Sequence, residues 1–213
     1  MPKKTFFNLS SDKKNRIIDA AIDEFADKTF HRAKITNIIE NADISPGSFY
    51  KYFEDKRDLY KYLLSLLAQK KMDYINQDLM LNTEEYNFFY LLKELYQSGL
   101  KFARENPRLL LISNKLINED SELYREIIGD NKVRSEEFFY KIIEEGVNSG
   151  EIRSDIDLKL LSKILSSMFI AMAEYIYKEK MLYFNDMSVI DNIIDIIKNG
   201  IKNNNTFYEE GKK

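Results

Sequence analysis

The residues of this chain that could do chemistry are hydrogen-bond donors and a cation within one short segment. Ser45, followed by Pro46, is a typical start of a helix, because its hydroxyl can cap the first turn. On a helix that enters a major groove, Ser48 and Lys51 would reach base edges or phosphates. Pro46 could contact a thymine methyl and Gly47 could allow DNA to approach closely, or both could serve only to start the helix. The segment therefore favours binding of nucleic acid over catalysis.

Patterns for catalysis or metal binding are absent from the sequence. The chain has one histidine and no cysteine, which excludes disulfides, thiolate metal sites and cysteine nucleophiles. There is no Glu-x-x-His pair for a di-iron site and no glycine-rich phosphate loop. His31 has no nearby second histidine to complete a metal site, so we expect it at the surface. We therefore expect no enzymatic activity, no metal and no cofactor.

The composition favours an all-α protein. Of 213 residues, 44% are hydrophobic and 31% are charged, and only three prolines and seven glycines interrupt stretches rich in Lys, Glu, Leu and Ile. A chain of this length can bury a substantial core. Short helices are expected at about 35–41 and 46–52, and Asp55 is expected to cap a longer helix that reaches about Leu79.

Three phenylalanines near these short helices are predicted to be core residues. Phe25 lies on a first helix that should begin near Ser10 or Ser11, while Phe49 and Phe53 are four residues apart. Aromatic rings can stack on bases, but helical spacing of this kind is more typical of packing between helices.

Charge is distributed unevenly along the chain, whose net charge is −3. Residues 1–72 carry 14 Lys and Arg against 10 Asp and Glu, a net charge of +4, while residues 73–213 carry 18 against 25, a net charge of −7. This asymmetry fits a small basic reader joined to an acidic body. No signal-peptide pattern or membrane-length apolar stretch occurs, so we expect a cytoplasmic protein without a membrane partner.

One part of the chain resembles a known family. Residues 35–53, ITNIIENADISPGSFYKYF, and residues 55–59, DKRDL, resemble the DNA-binding signature of the TetR family. Upstream, residues 17–25, IIDAAIDEF, are similar to the first helix of that family. The resemblance covers about residues 11–65, and several spaced features coincide within it.

Family position also implies phosphate contacts, and it reveals two departures. Lys34, Thr36, Tyr50 and Lys56 stand where the family contacts the DNA backbone, and each supplies a donor. Lys34 stands where a Ser or Thr cap is usual, which weakens that cap but offers a cation. Asp43 stands where glycine is usual in the turn, and Asp tolerates positive φ better than most residues.

The resemblance implies a two-part, all-α regulator with about nine helices. Residues 1–54 would form a three-helix helix-turn-helix domain, and residues 55–213 would form a helical bundle for ligand binding and dimerisation. A homodimer would present two recognition helices about 34–36 Å apart to a palindromic site in double-stranded DNA. Members of the family usually repress transcription, and a small effector usually releases them from DNA. A helical adaptor without a specific DNA target is the alternative.

Two further sets of residues are expected in the body. An apolar or amphipathic effector would contact aromatic and methionine side chains that could equally pack the core, namely Phe89, Tyr96, Phe102, Phe139, Met168 and Met172. The last two helices carry small residues that permit close approach, and a four-helix dimer interface would use Leu161, Leu165, Ile190, Ile194 and Ile197.

Overall fold

A computed structural model describes residues 1–118, 121–178 and 188–200, and these ranges contain α-helices and one 3₁₀ turn but no strand. The all-α prediction is therefore confirmed. The eleven helices of the described ranges are α1 (Lys4–Phe7), α2 (Ser11–Asp27), α3 (Ile35–Asn41), α4 (Pro46–Tyr52), α5 (Lys56–Met72), α6 (Gln77–Leu81), α7 (Phe88–Glu105), α8 (Pro107–Asn118), α9 (Ser121–Asn148), α10 (Leu158–Lys178) and α11 (Ser188–Gly200).

The chain divides into two compact units. The first unit comprises residues 1–74 and 101–134, and the second comprises residues 75–100 and 135–213. The expected division between residues 54 and 55 describes function rather than compactness, and it stays a prediction. None of the described helices is long and apolar enough to cross a membrane.

In the first unit, α2 to α5 surround an aromatic core. Phe25, Phe49 and Phe53 are at most 1% exposed, which confirms that they are core residues. The ring of Phe25 lies 4.7 Å from the ring of Tyr60, and the rings of Phe49 and Phe53 are 5.5 Å apart. His31 is exposed, as expected. The core therefore packs against one side of α3 and α4, and residues on other sides of these helices are exposed.

The turn between α3 and α4 depends on a backbone conformation that few residues adopt. Asp43 has a φ of 52°, which confirms that this position needs the left-handed region. The amide of Ile44 then donates to the carbonyl of Ile39 over 3.2 Å and closes the turn. Asp43 can occupy this position because a short polar side chain lowers the cost of positive φ.

Helix α5 is shorter than its apolar pattern predicts. It ends at Met72 instead of about Leu79, and Asp73 forms its C-cap. A separate short helix, α6, follows, because the Asn76 side chain accepts a hydrogen bond from the amide of Asp78 over 3.0 Å. The local cap therefore starts a separate helix where periodicity alone suggested continuation.

The second unit has its own core, built from α7, α9, α10 and α11. The Asp157 carboxylate caps α10, accepting from the amide of Leu160 over 2.9 Å. Gly150, with a φ of 78°, ends α9 in the left-handed conformation expected of a helix stop. Inside the unit, the rings of Tyr96 and Phe169 are 5.5 Å apart.

Candidate nucleic-acid interface

Helix α4 presents one polar face to solvent. Pro46, Gly47, Tyr50 and Lys51 are exposed, whereas the intervening Phe49 is fully buried. Positions 46 and 50, like positions 47 and 51, are four apart and therefore lie on neighbouring turns of the same face. The structure thus brings together, on one short helix, four of the residues that the sequence assigns to DNA contact.

The start of α4 is fixed by two serines. The Ser45 hydroxyl accepts from the amide of Ser48 over 3.3 Å, which confirms the expected cap. The hydroxyls of Ser45 and Ser48 are also 2.9 Å apart and hydrogen-bonded. Ser48 is half-buried, so its hydroxyl has an intramolecular partner and only part of its surface faces solvent.

Gly47 is not required by packing within the chain. It lies in the first turn of α4, and a Cβ added there would meet no atom within 4 Å. Its φ is not in the left-handed region that favours glycine. The space beside Gly47 is therefore open, and a partner outside the chain could approach its backbone.

The start of α3 is capped by a residue from another helix. Lys34 is the N-cap residue and its side chain makes no capping hydrogen bond. Instead, Oε1 of Glu24 on α2 accepts from the amide of Lys34 over 2.8 Å, and Oε2 accepts from Nδ2 of Asn37 over 3.1 Å. Glu24 thus replaces the missing Ser or Thr cap, and it leaves the Lys34 side chain exposed together with Thr36.

Lys56 contacts the loop before α3. Its Nζ donates to the carbonyl of Ala33 over 2.8 Å and to that of His31 over 3.3 Å, and it lies 4.7 Å from the centre of the Phe30 ring. The ammonium group therefore ties the start of α5 to this loop. The expected phosphate contact at Lys56 would have to share this group with the loop carbonyls.

A reciprocal cap holds the start of α5. The Asp55 carboxylate accepts from the amide of Asp58 over 2.8 Å, as expected for its N-cap position. Oδ2 of Asp58 in turn accepts from the amide of Glu54 over 3.1 Å. This arrangement resembles a capping box with Asp in place of the usual Glu. It fixes the segment that links α4 to α5.

The predicted effector residues do not form one group. Tyr96 and Phe139 are buried in the core of the second unit, and Phe89 and Met168 are half-buried against it. Phe102 lies in the core of the first unit instead. The prediction for Met172 falls outside the side chains that the structure describes.

Two features of the second unit could receive a small molecule. The Tyr96 side chain is 1% exposed, its hydroxyl has no hydrogen-bond partner among the described residues, and burial raises its pKa to about 12. A separate small cleft is lined mostly by apolar residues, with Glu94 and Ser98 as its two polar ones. The lining consists of Ile75, Leu79, Met80, Leu91, Glu94, Leu95, Ser98 and Phe138. None of these lining residues is among the six predicted effector residues.

The residues predicted for the dimer interface lie mainly inside the chain's own core. Leu165 and Ile190 are fully buried, and Leu161 and Ile197 are each 6% exposed, whereas Ile194 is half-buried. A different apolar stripe is exposed on the same two helices, and sequence periodicity did not separate it from the buried one. Its members are Leu160, Ile164 and Tyr175 on α10 and Ile196 on α11.

Comparison with known proteins gives one consistent result. The family model "Bacterial regulatory proteins, tetR family" matches residues 17–63, which span α2 to the first half of α5. The IcaR negative transcriptional regulator of the icaADBC biofilm operon in Staphylococcus aureus is 27% identical over 117 residues, which cover 54% of this chain and 60% of that protein.

Two solved structures extend the likeness beyond the reader. FadR from Bacillus subtilis, in complex with stearoyl-CoA, is 19% identical with a TM-score of 0.71 over 88% of this chain and 99% of that one. A TetR family regulator from Chloroflexus aurantiacus is 30% identical with a TM-score of 0.74, over 94% of this chain and 98% of that one. Given this identity over nearly the whole length and the family match at α2 to α5, the chain belongs to the TetR family of DNA-binding transcriptional regulators.

Proposed function

We propose that this regulator is a homodimeric repressor that binds a palindromic operator and is released by an acyl effector. The observation that carries the proposal is the exposed polar face of α4, on which Pro46, Gly47, Tyr50 and Lys51 stand over a buried Phe49. A helix with this face fits a major groove, where its first turn meets base edges. The relation to IcaR, which is named as a negative regulator, supports repression.

Within this face, the residues would divide between sequence reading and phosphate binding. Pro46 and Gly47 lie in the first turn, where close approach and apolar contact can discriminate bases. Lys34, Thr36, Tyr50 and Lys51 are exposed donors and would bind phosphates. The open space beside Gly47 supports the proposal, because the fold itself gives no reason for glycine there.

The first experiment selects bound fragments from the source organism's fragmented genome with purified protein, and sequences them. Recovery of a short inverted repeat would support a dimeric operator reader. No enrichment at low salt, from protein freed of bound small molecules by refolding, would contradict it. The genes beside the repeat would then direct the search for the effector.

Substitutions on α4 then test the assignment of contacts. The slope of log affinity against log salt concentration is negative. We expect Lys51→Gln to make it shallower by about 1, the effect of losing one phosphate contact. Lys70→Gln is the matched control, since it removes the same charge fourteen residues beyond Lys56, about 21 Å along α5 at helical rise. Equal slopes for the two variants would argue against Lys51 as a phosphate ligand.

Gly47→Ala separates the two roles that glycine could have. A methyl group at this position meets nothing in the chain, so we expect an unchanged or slightly raised melting temperature. If the DNA backbone or a base approaches here, operator affinity falls at least about tenfold, as for one lost base contact. Unchanged affinity would mean that Gly47 only starts the helix.

The exposed apolar stripe supports dimerisation through α10 and α11. Leu160, Ile164 and Tyr175 are 57%, 43% and 52% exposed, and Ile196 on α11 is 63% exposed. Exposed apolar side chains on these two helices are typical of an interface, and a second copy of the chain supplies the two-fold symmetry that a palindrome needs. The buried set Leu161, Leu165, Ile190 and Ile197 would then support this surface from inside.

Dimerisation is tested by sedimentation of Ile164→Glu and Ile196→Glu variants. Both side chains are exposed in the single chain, so we expect a folded monomer whose operator affinity falls by at least about a hundredfold, since only one half-site remains engaged. Lys163→Glu, beside Ile164 on the exposed side of α10, is the control for added negative charge. A dimer that survives both isoleucine substitutions would place the interface elsewhere.

The effector is proposed to be an acyl compound that binds the second unit. The stearoyl-CoA complex of the structurally similar FadR supports this class. The apolar cleft, with Glu94 and Ser98 as its polar residues, marks where an acyl chain could enter, but as it stands it is far too small to hold one. The proposal therefore includes some opening of the core, and the Tyr96 hydroxyl would donate to the ligand's carbonyl.

Stearoyl-CoA and palmitate are the probes for this site. We expect an effector to raise the melting temperature and to weaken operator binding, with a coupling free energy of about 1–3 kcal/mol. Tyr96→Phe should weaken the ligand about tenfold, while Tyr140→Phe, which alters an exposed hydroxyl, should not. Absence of any shift with either probe would contradict an acyl effector and leave the operator assignment intact.

A further inference from the structure

The chain segment before α2 packs onto the recognition helix. We name residues 2–8, which include α1, the N-terminal strap. Phe6 of the strap is fully buried, and its ring lies 4.9 Å from that of Phe53 and 5.4 Å from that of Tyr62. The strap is therefore packed into the core of the first unit through Phe6.

Polar contacts join the strap to the end of α4. The last four carbonyls of a helix have no partner within it, so something else must satisfy those of Phe49, Tyr50, Lys51 and Tyr52. The amide of Phe53 donates to the Phe49 carbonyl over 2.9 Å. The contacts that the structure describes at the other three carbonyls come from the strap.

Three donors of the strap bond to these carbonyls. Nζ of Lys3 donates to the Tyr50 carbonyl over 2.9 Å, and the amide of Lys3 donates to the Tyr52 carbonyl over 2.8 Å. The Thr5 hydroxyl donates to the carbonyl of Lys51. A segment more than forty residues away in sequence thus completes the C-terminal cap of α4, and the Lys3 ammonium lies at the negative end of the helix dipole.

We propose that the strap is a positioning element for operator recognition. Helix α4 has only seven residues, and a helix this short is not stable by itself in water. Its second half carries Tyr50 and Lys51, whose side chains belong to the exposed face. By holding the carbonyls of these same two residues, Lys3 and Thr5 fix the height and direction of the face that meets DNA. This inference rests on the proposed function of α4.

The positioning role differs from a general contribution to folding in what it changes. Loss of folded protein lowers the apparent affinity for every DNA by the same factor. Loss of alignment lowers affinity for the operator, which needs exact base contacts, more than affinity for unrelated DNA, which needs only phosphates. The ratio of the two affinities is therefore the informative quantity, because it does not depend on the folded fraction.

The variants are Thr5→Val, which keeps the shape and removes the hydroxyl, and Lys3→Met, which keeps the main-chain bond and removes the ammonium. Lys4→Met is the matched control, since Lys4 is the adjacent exposed lysine. Affinities are measured for the operator fragment that the wild type selects and for a scrambled fragment of equal length. We expect the double variant to lose about tenfold in the operator-to-scrambled ratio, and Lys4→Met to stay within about twofold.

Hydrogen exchange provides a second measurement that needs no DNA. In the double variant, which lacks the side-chain bonds of Lys3 and Thr5 to α4, the amides of residues 50–53 should exchange at least about tenfold faster, while those of α3 keep the wild-type rate. A ratio within twofold of wild type in the double variant would overturn the positioning role. If the wild type selects no DNA, the proposed function fails, and the exchange rates still decide whether the strap holds α4.

Discussion

Glu24 in the first unit and Tyr96 in the second unit are both almost wholly buried polar residues, but they differ in their hydrogen bonding. Glu24 in the first unit is 7% exposed and accepts hydrogen bonds from the Lys34 amide and the Asn37 side chain. Tyr96 in the second unit is 1% exposed, and within the part of the chain that the structure describes its hydroxyl has no hydrogen-bond partner. In the first unit a buried carboxylate thus holds the start of a helix, whereas in the second unit a buried hydroxyl has no acceptor or donor among the described residues.

This difference follows the two proposed tasks. A DNA-binding unit must hold α3 and α4 in one arrangement, so hydrogen bonds that fix their position are useful. A sensor must bind something, and a buried donor without a partner costs free energy until a ligand supplies an acceptor. The comparison therefore predicts opposite results when each polar group is removed.

Glu24→Ala should have the largest effect. It leaves the Lys34 amide and the Asn37 side chain without their acceptor at the start of α3, and hydrogen bonds to a charged group are each worth about 1.5–3 kcal/mol. We expect a loss of about 3 kcal/mol in the free energy of unfolding, measured by urea titration at constant protein concentration. Glu40→Ala, an exposed glutamate on α3, is the control and should change it by less than about 0.5 kcal/mol. Equal losses for the two variants would remove Glu24 from the comparison.

Tyr96→Phe should have the opposite sign. It keeps the ring that packs 5.5 Å from Phe169 and removes the unsatisfied hydroxyl, so we expect a gain of about 1 kcal/mol at pH 7 without effector. Tyr140→Phe, at an exposed site, should be neutral. A loss of stability in Tyr96→Phe would show that the hydroxyl has a partner in the folded protein.

The pH dependence of this gain follows from the pKa of Tyr96, which burial raises from 10.0 to about 12. The phenol of the unfolded chain ionises at a lower pH than the buried phenol. The free energy of unfolding of the wild type is therefore unaffected by this group below about pH 10, and it falls as pH rises toward 12. The advantage of Tyr96→Phe over the wild type should therefore grow by about 1 kcal/mol between pH 7 and pH 11. Unfolding titrations of both proteins at these two pH values check the sign, and a constant difference would contradict it.

Local signals in the sequence were sufficient for much of the reader. The bounds of α3 and α4 follow from short-range patterns, and the caps at Ser45 and Asp55 are confirmed because a cap and its helix are adjacent in sequence. The positive φ of Asp43 was likewise expected from its place in the turn. Glu24 was missed because it caps α3 from ten residues away, and on an amphipathic helix a glutamate resembles a surface charge.

The body was harder to predict for a related reason. Helix α10 is apolar on more than one face, so Leu161 and Leu165 share their helical spacing with Leu160 and Ile164. Periodicity identifies such stripes but not which one faces the core, since that depends on where other helices pack. The end of α5 at Met72 was missed because the apolar pattern continues through it, whereas the break is set by the Asn76 cap.

The smallest expected change in stability concerns the turn between α3 and α4, where the quantity tested is backbone strain and not a buried polar group. Asp43 has a φ of 52°, and its exposed carboxylate lies 3.5 Å from Nη1 of Arg16, a pair that contributes little. Asp43→Gly and Asp43→Ala both remove this pair and differ only in the Cβ. Because a Cβ is costly at positive φ, glycine should be more stable than alanine here by about 1 kcal/mol in thermal melts.

The same two residues at position 47 provide the control for this last comparison. Gly47 is helical with ordinary φ and open space around it, so alanine should be more stable than glycine there by about 0.5–1 kcal/mol. The preference between glycine and alanine should therefore reverse between two positions only four residues apart. If alanine is the more stable residue at both positions, the turn relaxes out of the left-handed region, and the reader is less rigid than the contrast with the body requires.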